Sequence, residues 1–130
     1  MVDVKKERRS FQRIFFSIED GIKSKFIISS LQTELDLLTA NVINLSEGGL
    51  ALALSKDRGK KIKIGDFIIL TEVKGIKDLE FLNNVEAEIK WILDNPSLEF
   101  VGFGCEFRDA PESMKDSIQT FIDSWNREKM

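Results

Sequence analysis

The segment "VEAEIKWIL", Val85 to Leu93, constrains the fold more than any other stretch of this chain. Val85, Ala87, Ile89 and Trp91 fall on one face and Glu86, Glu88 and Lys90 on the other. An apolar/polar alternation of period two describes a strand with one face turned inward. The same period returns after the "NPS" turn in "FVGFGCEF". There Val101, Phe103, Cys105 and Phe107 oppose Gly102, Gly104 and Glu106. Small residues on that second face allow another backbone or a ligand to approach closely. "LSEGGLALAL" alternates Leu50, Leu52 and Leu54 with Ala51 and Ala53, and "FIILTEV" reads as a further strand. Residues 14–44 are rich in β-branched and aromatic residues and carry an "EDG" turn, so two or three strands are expected there. "SKDRGKKIKIGD" reads as a polar, cationic loop.

The tail changes period. Met114, Ile118, Phe121, Ile122 and Trp125 form one stripe of an amphipathic helix. Pro111 suits its first turn, Asp109 or Ala110 its cap, and Glu112 its positive end. The plan is therefore six or seven short strands and one helix. Short antiparallel strands with one apolar face close into a barrel or sandwich. A terminal helix can then cover an open end or side and protect an edge. At 130 residues one domain is expected over 1–130: an arm at 1–13, strands at 14–108 and a helix at 111–128. The core reading is preferred for Phe121 and Trp125 over a helix-mediated dimer, and the oligomer is left as monomer or homodimer.

Charge is unevenly distributed. The chain has 19 Lys plus Arg against 22 Asp plus Glu, a net −3. Yet Lys5, Lys6, Arg8, Arg9 and Arg13 face only Asp3 and Glu7 in the arm, a local net +3. A basic arm on an acidic body suits a compact anionic partner better than a nucleic-acid polymer or a membrane surface. There is no run of about 18 apolar residues, so no membrane insertion is expected, and the charged N-terminus is unlike a secretory signal. A single cysteine rules out an intrachain disulfide and fits a reducing cytoplasm.

An enzyme is not expected. There is no histidine, Cys105 lies on an inward strand face, and the carboxylates sit on solvated faces. No cofactor and no metal site are indicated. Two motifs suggest binding instead. The first is Arg8-Arg9-x-x-x-Arg13: guanidinium groups fork onto phosphate, pair with the O6/N7 edge of guanine, or stack on a base. Alone, such a run is ordinarily a solvated tail. The second is "NLSEGG", Asn44 to Gly49. Its amide and hydroxyl hold tight turns or meet a ligand, and Gly48 and Gly49 leave the backbone bare. Alone, this too is ordinarily a plain turn.

Together and in this order, Arg9-x-x-x-Arg13 and Asn44-x-Ser46-x-x-Gly49 resemble the PilZ domain family. "SEGGLALAL", "IGDFIIL", "VEAEIKWI", "VGFGCEF" and the Pro-led tail are similar to successive family elements, from about Glu7 to Trp125. The resemblance implies a six-stranded antiparallel β-barrel with a C-terminal helix. It also implies a receptor for the bacterial second messenger cyclic di-GMP. Arg9 and Arg13 would clamp phosphate and guanine from a flexible arm. Asn44, Ser46, Gly48 and Gly49 would meet a guanine from the barrel. Arg8 bears on whether one or two ligands bind, with two favoured, while Lys5 and Lys6 add only a screened background field. Asn44 departs from the common Asp and can donate as well as accept.

On this reading a non-enzymatic, cytoplasmic receptor with nothing fused to its barrel passes the signal to a protein effector. The alternative is a PilZ-fold adaptor that binds protein without nucleotide. A single-strand nucleic-acid binder is disfavoured by the acidic body and because Phe103 and Trp91 read as core-facing.

Overall fold

The structure, a computed structural model, describes residues 13–29, 37–59 and 62–129. Seven strands are present among them: β1 (Ile14–Phe15), β2 (Lys23–Ile28), β3 (Leu38–Ser46), β4 (Gly49–Ser55), β5 (Phe67–Lys74), β6 (Val85–Leu93) and β7 (Phe100–Phe107). The helices are a single turn, α1 (Lys56–Gly59), and the long α2 (Glu112–Lys129). Two 3-10 helices, Ile18–Asp20 and Lys77–Leu82, fill connections.

All pairings are antiparallel, and the sheet order is β1-β3-β2-β5-β6-β7-β4, with β3 also pairing with β4. That last pairing closes six strands, β2 to β7, into a barrel, as the family resemblance implied. The seventh strand, β1, extends the edge of β3 that β2 leaves free: β2 meets residues 38–41, and β1 meets Asn44 and Leu45. Closure leaves few open edges.

Alternation delivers one face of each strand to the core. Phe26, Leu45, Leu52, Ile68, Ile89 and Phe103 are essentially inaccessible to solvent. Phe26 and Phe103 meet across the interior with centroids 5.7 Å apart. Helix α2 lays Met114, Ile118, Phe121 and Ile122 on this core, along the stripe expected from its period. The Pro111 carbonyl accepts from the amides of Met114 and Lys115 at 3.0 and 3.2 Å, so Pro111 itself opens the helix. Phe16, just past β1, stacks edge-on against Trp125 at 4.9 Å and meets Phe121 at 6.4 Å. The aromatic pair on α2 therefore covers the barrel, and the helix is tied to the segment that follows Arg13.

Two sequence expectations are revised, and one element enters that no expectation covered. The cationic loop after β4 contains the helical turn α1. The chain after β5 forms the 3-10 helix Lys77–Leu82, whose Leu79 and Leu82 are buried. Most consequentially, Trp91 is not in the core: it is 47 % exposed. The β6–β7 ladder pairs Ile89 with Cys105 but Trp91 with Gly104, so Lys90 is an extra residue. This β-bulge shifts the alternation by one, and every later side chain of β6 changes face. A Cβ built on Gly104 would lie 2.0 Å from the indole Nε1, so the ring occupies the space that glycine leaves open.

Candidate functional site

The site forms where β3, β4, β6 and β7 present their outer faces. On β3, Leu45 points into the core, leaving its neighbours Asn44 and Ser46 on the opposite face. The ladder continues sideways. Asn44 pairs with Ala51, and Ser46 with Gly49. Ala51 and Gly49 pair in turn with Gly104 and Glu106. Two adjacent rows thus run Asn44–Ala51–Gly104–Trp91 and Ser46–Gly49–Glu106–Glu88 across the barrel. Ala51 and Gly104 floor the middle of the first row, Gly49 gives the second row a small residue with Glu106 standing beside it, and polar or aromatic side chains wall the ends.

Local hydrogen bonding explains the second motif. The Ser46 hydroxyl accepts from the Gly48 amide at 3.3 Å and donates to the Gly49 carbonyl at 3.4 Å, fixing the β3–β4 turn. The Gly48 carbonyl accepts from the Phe107 amide at 2.9 Å. Gly49 is required for a steric reason: a Cβ there would stand 1.9 Å from the Cys105 carbonyl oxygen. Ser46 and Gly49 therefore shape the turn whether or not a ligand is present.

Arg13 joins the two motifs. Pairing of β1 with β3 sets the chain beside Asn44, and Arg13 Nη1 donates to Asn44 Oδ1 at 2.6 Å across 31 residues of sequence. Arg13, Ser46, Gly48 and Gly49 then line one open cavity of about 300 Å³. Arg8 and Arg9 lie outside the described residues. Hollows of about 380 and 550 Å³ beside α2 and beside Lys56 are lined by none of the motif residues, whereas one of about 330 Å³ shares Gly48 and Glu106 with this cavity.

The far wall of the cavity is made by residues that motif spacing did not single out: Lys90, Trp91 and Glu106. Lys90 Nζ stands 3.5 Å from Glu88 Oε1 and 3.8 Å from Glu106 Oε1, and Arg108 Nη1 stands 3.7 Å from Glu88. These pairs are substantially exposed, so each contributes little to stability. Their importance lies in placing one cation and one carboxylate at the rim opposite Arg13. The available signal was the glycine face of β7, but only the Lys90 bulge brings Trp91 to it.

Cys105 borders the cavity floor but is buried, and burial pushes its thiol up to about 12. A thiol held protonated in this way is a poor nucleophile. Among the described residues no group of three or more His, Cys, Asp or Glu side chains is placed to hold a metal ion. No described helix is long and apolar enough to cross a membrane.

An antiparallel barrel capped by a helix, with an arginine and a Gly-Gly turn meeting at one surface cavity, is the architecture to be assigned. The chain belongs to the PilZ domain family, whose model matches residues 7–124. No curated protein matches it in sequence. Solved structures share its fold. The inhibitor of motility from Bacillus subtilis aligns with a TM-score of 0.65 and 16 % identity over 95 % of this chain and 53 % of its own. A complex of K. pneumonia MrkH with c-di-GMP aligns at 0.68 and 13 % identity over 94 % of this chain and 54 % of that one. This chain thus spans about half the length of those two proteins. The PilZ domain of Escherichia coli YcgR with c-di-GMP aligns at 0.62 and 18 % identity, over 94 % of each chain.

Proposed function

We propose that this chain is a non-enzymatic receptor for cyclic di-GMP that signals to a protein partner. The observation that carries the proposal is the Arg13–Asn44 hydrogen bond at the rim of the cavity. Residues from two distant motifs meet there, beside a bare glycine floor. The chemistry of the ligand fits the walls. Cyclic di-GMP carries two phosphates for guanidinium and ammonium groups, and two flat bases for an aromatic face. Arg13 and Lys90 supply cations, and the exposed Trp91 indole supplies the face. Arg8 and Arg9 join from the arm, giving enough arginine for two ligand molecules per chain. Membership of the PilZ family and the c-di-GMP complexes of MrkH and YcgR support the reading.

The arm provides the output. A ligand bridging arm and barrel binds the closed arrangement better than the open one, and so shifts the population towards it. Phe16 packs on Trp125, so a change at Arg13 lies three residues from a contact with α2. That helix is the natural route to a partner. Isothermal calorimetry with cyclic di-GMP tests the proposal: wild type binds at micromolar concentration or below, and Arg13→Ala binds at least tenfold more weakly. No heat of binding at tens of micromolar would sink it.

A nucleotide-independent adaptor is the second reading. It is favoured by the exposed apolar residues Trp91, Leu93 and Phe100 on the outer face of β6 and β7. It predicts partner capture that is unchanged by ligand and by Arg13→Ala.

A further inference from the structure

The second row of the site breaks a rule of sheet design. Glu88 and Glu106 stand directly opposite each other on β6 and β7. Like charges in that position are destabilising. Lys90, the bulged residue, lies within 4 Å of both and offsets the repulsion. A local rule broken beside a cavity points to function, since proteins concentrate such violations at sites they use. Of the two carboxylates only Glu106 lines the cavity, and among the described residues lining it Glu106 is the sole acid.

The polar side chains on the Arg13 side already hold partners within the protein. Asn44 Oδ1 accepts from Arg13, which leaves the Asn44 amide nitrogen as a donor. The Ser46 hydroxyl is engaged with Gly48 and Gly49. Arg13 and Lys90 are donors only. Guanine, however, presents two donors on its Watson–Crick edge, N1–H and the N2 amine, and these need an acceptor. A carboxylate has two oxygens at a spacing that receives both.

We infer that Glu106 is the guanine-reading residue of the cavity: its carboxylate leaves Lys90 to accept N1–H and N2–H of a base lying on the Gly49 floor. Lys90, released, turns to the ligand phosphates. The exchange leaves no group without a partner: the carboxylate receives the two neutral N–H donors of guanine, Lys90 meets phosphate, and Arg108 stays beside Glu88. It also gives the site a preference for guanine over bases that lack the 2-amino group. This inference rests on the proposed cyclic di-GMP reading and extends it to specificity.

The test compares cyclic di-GMP with cyclic di-IMP, whose hypoxanthine keeps O6, N7 and N1–H and lacks only the 2-amino group. Binding of both is measured by calorimetry on the full chain, for wild type, Glu106→Ala and Glu106→Gln. Wild type is expected to prefer cyclic di-GMP by about tenfold, the worth of one charge-assisted hydrogen bond at an exposed site. In Glu106→Ala that preference falls to about onefold. Glu106→Gln, which keeps a single acceptor oxygen, lies between. Thermal melting of each variant confirms the fold. If Glu106→Ala keeps the full preference, or binds both ligands more tightly than wild type, the carboxylate only repels phosphate and the inference is overturned. If wild type binds neither ligand, the receptor reading falls with it; if wild type binds and the ratio is insensitive to Glu106, only this inference fails.

Discussion

Two glycines of the site make opposite demands on the barrel, and identical substitutions separate them. A Cβ on Gly49 would lie 1.9 Å from the Cys105 carbonyl oxygen and 3.0 Å from its carbon. Those atoms belong to a paired backbone. Gly49 faces Glu106 in the β4–β7 ladder, which holds through to Phe100. Relief requires the two strands to separate, with loss of ladder hydrogen bonds and core packing. Overpacking of this kind costs about 3 kcal/mol, the upper end of its usual range. A Cβ on Gly104 would be almost as close to an atom, 2.0 Å, but that atom is the indole Nε1 of Trp91. The ring is half exposed and can swing into solvent, so Gly104→Ala costs about 1 kcal/mol, mostly lost contact. For a domain of this size ~1 kcal/mol moves the melting temperature by ~4 °C. Gly49→Ala is therefore expected to melt about 12 °C below wild type, and Gly104→Ala about 4 °C below. Circular dichroism melts read the first difference. Tryptophan emission, red-shifted in the Gly104 variant, reads the second. Equal melting losses, or a Gly49→Ala protein within about 2 °C of wild type, would refute the steric account of both positions.

Other expectations follow from the same geometry. Phe16→Ala removes a buried ring from Phe121 and Trp125 and should destabilise by about 3 kcal/mol, seen as a lower urea midpoint. Trp91→Ala should weaken cyclic di-GMP binding by about tenfold, the order of one lost stacking contact, while stability changes little. The Cys105 thiol, held up at about 12 by burial, should resist alkylation at pH 8 until the chain is unfolded. An unfolded thiol ionises near 8.5 and the folded one does not, so its contribution to stability is full below that pH. The contribution is then lost as pH rises towards about 12. Urea midpoints at pH 8 and pH 10 should therefore fall more steeply in wild type than in Cys105→Ala.

Much of the fold was legible because the core obeys simple periods. Leu50, Leu52 and Leu54 point inward as their alternation requires, and Met114, Ile118 and Ile122 lie on the buried side of α2. What period could not show was where it is interrupted. The bulges at Ile43 and Lys90 each insert one residue into a ladder, and nothing in the residue types marks them. The second of these misassigned Trp91 and hid one wall of the cavity. The meeting of Arg13 with Asn44 was implied only by family resemblance, since the contact spans 31 residues and depends on how β1 lies along β3. The 3-10 helix Lys77–Leu82 escaped notice because six residues are too few to establish a helical stripe.

The central claim is that the two motifs form one ligand site, and a single titration tests it most directly. Cyclic di-GMP is added to wild type, Arg9→Ala, Arg13→Ala and Asn44→Ala in a calorimeter, at one ionic strength because charged contacts are screened by salt. The account predicts saturable binding by wild type at micromolar concentration or tighter. It predicts a loss of about tenfold or more in each variant, since each removes a hydrogen-bonding or charged wall. Wild type that stays silent at tens of micromolar, or variants that bind as well as wild type, would contradict it.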